Sequence, residues 1–259
     1  MKRAWLALLP LGAYWSVWAD YGLRWAADED LRLFPLSALA GLWLLWRPAA
    51  VRDARAEHRA FALALAVASL FAFGYALLLP MARYALALLG TGAFVAWQRR
   101  SARPLGGIAL MLLAVPALSQ VERLLGPALR IAIAEAAAAL LRAGGRAVVN
   151  EGTRLSWLGG FVDVDAPCAG LRMLWTGCFV TLLAVAHFSL SRRDALLLSA
   201  AAPCLILLAN VLRCAALFYV ESGILPAPSG THAGIGLVAI ALWESARWFT
   251  HRRSACAIN

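Results

Sequence analysis

Apolar runs that alternate with short arginine clusters constrain the fold of this chain more than any other feature of its sequence. Residues 195–220 form the longest run and contain a single charged residue, Arg213. A helix needs about 20 mostly apolar residues to cross a bilayer. Hydrophobic residues make up 63% of the 259 positions, against about 45–50% in an ordinary soluble domain. The sequence therefore predicts an all-α polytopic membrane protein.

The apolar runs predict about eight transmembrane helices in one integral membrane domain, residues 1–259. The predicted spans are residues 4–19, 33–46, 60–79, 82–97, 105–121, 169–189, 195–220 and 232–249. The first run could instead be a cleaved signal peptide, because it follows a basic start and ends in small residues. The domain divides into N-terminal spans 4–121, an outer cap segment 122–167 and C-terminal spans 168–250, which carry the candidate functional residues described below.

The arginine clusters predict the orientation of the chain. With a cytoplasmic N-terminus, more than half of the 24 basic residues fall on inner loops, as the positive-inside rule requires. We therefore expect a multi-pass protein of the cytoplasmic (inner) membrane with both termini in the cytoplasm. The net charge of +10 does not indicate a nucleic-acid partner, because such binders gather their arginines into one patch.

The long outer segment predicts a small cap. Residues 127–142 carry Arg130, Glu135 and Arg142 on an otherwise apolar helix, and this pattern favours an amphipathic helix at the membrane interface over a ninth span. Residues 146–167 combine alternating apolar and polar positions with glycine turns, which indicates a β-hairpin or meander.

Two acidic residues of that meander, Asp163 and Asp165, alternate with Val162 and Val164. They could form an acid pair or bind a cation. The solvated face of a strand is the preferred interpretation, because period-two alternation places both side chains on the same face of the strand.

Three residues from separate spans are predicted to lie near the outer interface. An arginine inside a span is costly and therefore marks a functional candidate, and Arg213 lies about 27 Å along its predicted helix. Cys168 begins the sixth span, where the helix N-terminus and Arg172 at i+4 would favour a thiolate. His232 begins the eighth span. Asn210, one turn before Arg213, could support the arginine, whereas Arg172 could equally extend to the lipid headgroups.

A cysteine, a histidine and an arginine at one depth can perform acyl transfer. The thiolate attacks a peptide carbonyl, histidine passes a proton to the leaving amine, and arginine stabilises the oxyanion or orients the substrate. Cys178, Cys204 and Cys214 lie deep in predicted spans and are expected to be structural. The sequence has no Cys-x-x-Cys or His-Glu-x-x-His pattern, so no metal or other cofactor is expected.

These residues carry a resemblance to a known family. The segments PCAGLRMLW, NVLR and THAGIG, in this order, resemble the exosortase/archaeosortase family of membrane-embedded cysteine transpeptidases, mainly over residues 140–250. The resemblance implies that Cys168 is the nucleophile, Arg213 the essential arginine and His232 the third active-site residue. Family members commonly read Cys-Ser-Gly where this chain reads Cys-Ala-Gly, which leaves the subfamily and its recognition motif open.

The resemblance also implies a function. Substrates would be secreted proteins with a C-terminal sorting signal, formed by a short motif, a transmembrane helix and a basic tail. The enzyme would cut at the motif on the outer face and pass the acyl group to an acceptor, a lipid or surface anchor. The alternative is a non-enzymatic transporter or assembly factor for an envelope polymer that uses Arg172 and Arg213 to bind an anionic group. A third possibility is a family member that binds sorting signals without cutting them.

Overall fold

The structure is a computed structural model, and it describes residues 6, 8–27, 29–49, 53–102, 104–165, 169–188, 190 and 192–224. The helices in this part of the chain are α1 (Leu9–Ala13), α2 (Trp15–Ala27), α3 (Phe34–Trp46), α4 (Ala54–Gly74), α5 (Pro80–Arg99), α6 (Pro104–Leu112), α7 (Leu118–Ala143), α8 (Leu171–Phe188) and α9 (Arg192–Glu221), with a 3-10 helix at Glu29–Leu33. Three short strands complete it: β1 (Val149–Glu151), β2 (Arg154–Trp157) and β3 (Gly160–Asp163).

Within the described residues, four helices are long and apolar enough to cross a membrane. They are α4, α7, α8 and, from Arg193 onward, α9. The apolar stretch Leu31–Trp46 is shorter. The prediction of a helical membrane protein is therefore confirmed, whereas the number of eight spans stays a prediction. The predicted eighth span, residues 232–249, lies outside the described residues.

The chain divides into two compact units. The first comprises Met1–Ala117 and Phe179–Ala195, and the second comprises Leu118–Cys178 and Leu196–Asn259. The predicted single membrane domain made no such division. The second unit contains the described part of the candidate site.

The first unit is held together by close helix packing. A Cβ atom on Gly41 of α3 would lie only 2.6 Å from the carbonyl oxygen of Gly107 on α6, so these two helices approach at a pair of small residues, as membrane helices often do. The Tyr84 hydroxyl on α5 donates to the carboxylate of Asp20 on α2, and Arg24 donates to the same carboxylate at 3.0 Å. These contacts involve the part of α2 that continues beyond residue 19, where the first span was predicted to end, as far as Ala27.

The predicted helix boundaries were wrong for residues 105–142. Helix α6 ends at Leu112 because Pro116 cannot donate a backbone hydrogen bond to continued helix. One 26-residue helix, α7, then includes both the end of the predicted fifth span and the predicted interfacial helix. Glu135 accepts hydrogen bonds from Arg142 at 2.8 Å and from Asn150 at 2.6 Å. These partners satisfy two of the three charged residues, Glu135 and Arg142, that indicate a separate helix at the interface in the sequence.

The predicted β-meander is confirmed. Strands β1, β2 and β3 form one antiparallel sheet in sequence order, and Arg154 faces both Glu151 and Asp163 in the two registers. Two-residue connections join the strands, and the first contains Gly152 with φ of +77°. The sheet and the residues directly before and after it, called the cap from here on, lie over the second unit's core. Their apolar side chains meet residues of α7 and α9 there. The cap contributes Val148, Leu155 and Val164 to this cluster.

Candidate active site

Asn210 and Arg213 occupy one face of α9 in the second unit. Asn210 is fully buried, and its Oδ1 accepts a hydrogen bond of 3.4 Å from an Nη atom of the half-buried Arg213. The two residues are three positions apart, so helical geometry places their side chains next to each other. The predicted supporting role of Asn210 thus has a structural basis, because the amide holds one edge of the guanidinium.

Gly170 brings a second element to the same amide. Its φ of +78° is in the left-handed region that favours glycine. A Cβ atom on Gly170 would lie 2.5 Å from Nδ2 and 2.7 Å from Cγ of Asn210. No side chain fits between this backbone and Asn210. The chain therefore enters α8 in direct contact with the residue that holds Arg213.

Helix α8 begins immediately after this contact. The N–H of Leu174 donates to the carbonyl oxygen of Gly170 at 2.8 Å, and Ala169 and Leu171 on either side of the glycine are buried. The first N–H groups of a helix have no partner within the helix, and together they give this end partial positive charge. The start of α8 is therefore an electropositive position beside Asn210.

The cap packs against the last turns of α9. Phe218 lies edge-to-face on Trp157, with ring centroids 5.1 Å apart, and the guanidinium of Arg146 lies 5.3 Å from the ring centroid of Tyr219. Cys214, next to Arg213 in the chain, is buried in the cluster formed by α7, α9 and the cap. The arginine is thus held on a helix that is fixed by packing directly beyond it.

Two of the three predicted catalytic residues, Cys168 and His232, lie outside the described residues. Arg172 is exposed on the first turn of α8. Helix α8 begins at Leu171, and Gly170 directly before it has a φ of +78°, so the described residues do not extend the helix back toward Cys168. The supporting role of Arg172 stays a prediction.

The other candidate residues also lie in the second unit. Cys178 is half-buried, Cys204 exposed and Cys214 buried, and among the described residues these three cysteines form no disulfide. Asp163 accepts two hydrogen bonds from Arg154, at 2.8 and 3.2 Å. These bonds lower the pKa of its carboxyl group, as expected for an ion pair on the solvated face of a strand. Within the described segments, no group of three or more His, Cys, Asp or Glu side chains could hold a metal ion.

Sequence reasoning missed the role of Gly170. The signal was available in the Cys-Ala-Gly segment, because a glycine directly before an apolar helical run marks a turn. Its partner could not be found in the same way, since Asn210 is 40 residues further along the chain.

A comparison with family models decides the family. The model described as Transmembrane exosortase (Exosortase_EpsH) matches residues 25–245 of this chain. The chain belongs to the transmembrane exosortase family. The match covers both compact units. It therefore extends well before residues 140–250, which carry the resemblance in the sequence. It includes Cys168, Arg213 and His232. Comparisons with curated proteins and with solved structures found no match.

Membership in the exosortase family indicates a membrane-embedded sorting enzyme. The apolar helices agree with this, since they make the exosortase a multi-pass membrane protein. The Gly170–Asn210–Arg213 contacts lie in the part of the exosortase chain that carries all three predicted catalytic residues.

Proposed function

We propose that this exosortase is a cysteine protease/transpeptidase that cleaves the C-terminal sorting signal of secreted proteins through a thioester on Cys168. The acyl group then passes to an acceptor, a membrane lipid or a surface anchor. The observation that supports this most is the contact of Gly170 with Asn210, because it links the nucleophile's segment to the residue that holds Arg213.

Covalent geometry limits how far the nucleophile can be from this contact. Consecutive Cα atoms are about 3.8 Å apart, so two residues span at most about 7 Å. Cys168 is two residues before Gly170, whose backbone touches Asn210. The length of an arginine side chain then allows the guanidinium of Arg213 and the sulfur of Cys168 to reach one peptide carbonyl.

The proposed reaction has two halves, formation of a thioester on Cys168 and transfer of the acyl group to an acceptor. The Cys168 thiolate, favoured by the positive end of α8 and by Arg213, attacks the carbonyl carbon. Arg213 stabilises the negative charge that develops on the oxygen. The C–N bond breaks as His232 gives a proton to the leaving amine, which leaves a thioester. An acceptor nucleophile gives its proton to His232, attacks the thioester and releases the thiolate.

We infer a site near one membrane surface. Arg213 is eight residues before the end of α9 at Glu221, a distance of about 12 Å at 1.5 Å per residue. The 30-residue helix is about 45 Å long, longer than a hydrocarbon core of about 30 Å. The positive-inside pattern makes this the outer face of the inner membrane. A substrate's transmembrane helix would enter from the lipid and present its motif there.

A processing assay tests the proposal. The enzyme is co-expressed with a candidate substrate that carries the sorting signal and an epitope tag, and cleavage is followed on blots. Wild-type protein should accumulate a hydroxylamine-sensitive acyl-enzyme, and Cys168→Ala should abolish both the acyl-enzyme and cleavage. Cys204→Ala is the matched control, since this cysteine is exposed on α9, and it should behave as wild type. Cleavage by Cys168→Ala at the wild-type rate would refute the nucleophile assignment.

The same variants separate the other functions. A transporter or assembly factor would tolerate Cys168→Ala and lose function with Arg213→Ala. A protein that binds sorting signals without cutting would retain the substrate in pull-downs after Cys168→Ala, and the wild-type parent would show no turnover. The proposed enzyme requires turnover by wild type and its loss in both variants.

A further inference from the structure

A second polar feature lies in the first compact unit, away from the residues discussed above. Arg47 and Arg99 each lie flat on a tryptophan ring: the Cζ of Arg47 is 3.8 Å from the ring centroid of Trp43, and the Cζ of Arg99 is 3.4 Å from that of Trp46. The two tryptophans are one turn apart on α3, so they lie on one face of the helix. Both arginines therefore lie along the same face of α3; we call these four residues the Arg–Trp cluster.

Backbone hydrogen bonds hold the cluster in place. The N–H of Ala49 donates to the carbonyl oxygen of Arg100 at 2.8 Å, and that of Ala102 donates to the carbonyl oxygen of Arg47 at 3.1 Å. These bonds flank an antiparallel bridge between Pro48 and Ser101. The bridge joins the ends of α3 and α5, so the positions of the guanidinium groups are set by paired backbone on both sides.

The nearby carboxylates are already engaged. Asp53 accepts hydrogen bonds from the N–H groups of Arg55 and Ala56 at the start of α4, and Glu57 pairs with Arg100 at 3.6 Å. Within the part of the chain that the structure describes, no ion pair involves either arginine of the Arg–Trp cluster.

One donor of the cluster has no hydrogen-bond partner among the described residues. This donor is the buried Nε atom of Arg99, and a buried donor without a partner is destabilising. The tryptophan ring covers one face of the guanidinium, and the two Nη atoms form a planar N–H edge beside the buried Nε. Such an edge matches two oxygens of a phosphate, and this bidentate geometry distinguishes arginine from lysine.

We propose that the Arg–Trp cluster binds the phosphate of an anionic phospholipid headgroup. The half-exposed tryptophans, each 47% accessible, are suited to the membrane interface, where indole rings concentrate. The positive-inside pattern assigns this end of α3 and α5 to the cytoplasmic surface, and basic sites between helices on that side bind acidic headgroups. A basic peptide would be repelled by the same charges. The proposal does not depend on the sorting reaction.

Native mass spectrometry of the purified full chain in detergent tests the proposal. The probe is phosphatidylglycerol, with phosphatidylcholine of the same chain length as the comparison. The double variant Arg47→Gln/Arg99→Gln should lose phosphatidylglycerol adducts, and the double variant Arg55→Gln/Arg59→Gln is the matched control. The control removes two exposed arginines from α4, and therefore the same charge. We expect the first variant to bind about tenfold more weakly than the control, since only it loses bidentate contacts.

A lysine variant and a competition with inorganic phosphate test the geometry of the site and the nature of the ligand. The variant Arg47→Lys/Arg99→Lys keeps the charge and should fold, but should still lose adducts because lysine lacks the planar fork. Equal adduct loss in the two glutamine variants, or full retention in the lysine variant, would overturn the proposed site. An excess of inorganic phosphate should compete poorly, because it has no acyl chains. If it displaces phosphatidylglycerol completely from wild type, the ligand is a soluble phosphate and the lipid assignment is wrong.

Discussion

Replacing Gly170 with alanine should disturb the candidate site more than any comparable glycine substitution in the second unit. A φ of +78° costs an alanine about 1–2 kcal/mol. The new methyl would also lie 2.5 Å from Nδ2 of the fully buried Asn210, and overpacking of this kind typically costs about 1–3 kcal/mol. The total destabilisation is therefore about 2–5 kcal/mol.

A matched control separates the two contributions. Gly145 has φ of +80°, and a Cβ atom there would meet nothing within 4 Å. Gly145→Ala should therefore cost only the backbone penalty of about 1–2 kcal/mol. The change that glycine replacement makes to the unfolded chain is the same in both variants, so it cancels in the comparison.

Two measurements check this prediction. Unfolding of the purified variants in detergent should show Gly170→Ala to be less stable than Gly145→Ala by about 1–3 kcal/mol. Processing of a tagged substrate should fall about 100-fold for Gly170→Ala, because a shift of about 1 Å in a catalytic group costs that much. In the double variant Gly170→Ala/Asn210→Ala, the loss of stability should be smaller than the sum of the two single losses. Equal stability and processing of the two glycine variants would refute the proposed contact.

Further predictions concern other parts of the molecule. Gly41→Ala should destabilise the first unit by about 1–3 kcal/mol, because its Cβ would lie 2.6 Å from the backbone oxygen of Gly107 as well as 2.7 Å from Cγ of Met111. Gly12→Ala, in open space, should not, and thermal unfolding compares the two variants. Arg213→Lys should lower processing about 100-fold without loss of substrate in pull-downs, whereas wild-type turnover would contradict an oxyanion contact. Arg154 lowers the pKa of Asp163, so their pairing should persist below about pH 4, the ordinary range of an aspartate, and be lost as pH falls through the lowered pKa. The carboxyl carbon shift of Asp163 in an NMR titration measures this pKa. A titration midpoint in the ordinary range would contradict the ion pair.

The sequence predicted helices well where one property is enough to decide. A run of apolar residues with the length of a span must form a helix in a membrane, because every backbone donor and acceptor has to be satisfied there. The predicted spans 169–189 and 195–220 accordingly overlap α8 and α9 closely. The helix boundaries predicted around residues 127–142 were wrong for the opposite reason. Whether a helix continues through a charged residue depends on partners such as Asn150, which follows α7 in the chain.

In the candidate site, too, local spacing predicted some contacts, whereas others depend on residues distant in the chain. Helical spacing was enough to pair Asn210 with Arg213, and the hydrogen bond confirms that pairing. The i, i+4 argument for Arg172 assumes a helix from the start of the apolar run, whereas α8 begins at Leu171. The Arg–Trp cluster was not predicted at all. Trp46 and Arg99 are far apart in sequence, and only the bridge between the ends of α3 and α5 brings them together.

The sequence alone determined that this chain lies in a membrane, that it forms helices there, and that it resembles the exosortases, because apolar length and short motifs are local properties. Tertiary structure decided which helices continue through charged positions, why no side chain fits at Gly170, and which arginines stack on the tryptophans of α3. Each of these depends on contacts between residues distant in the chain, where a few ångströms separate a hydrogen bond from a collision.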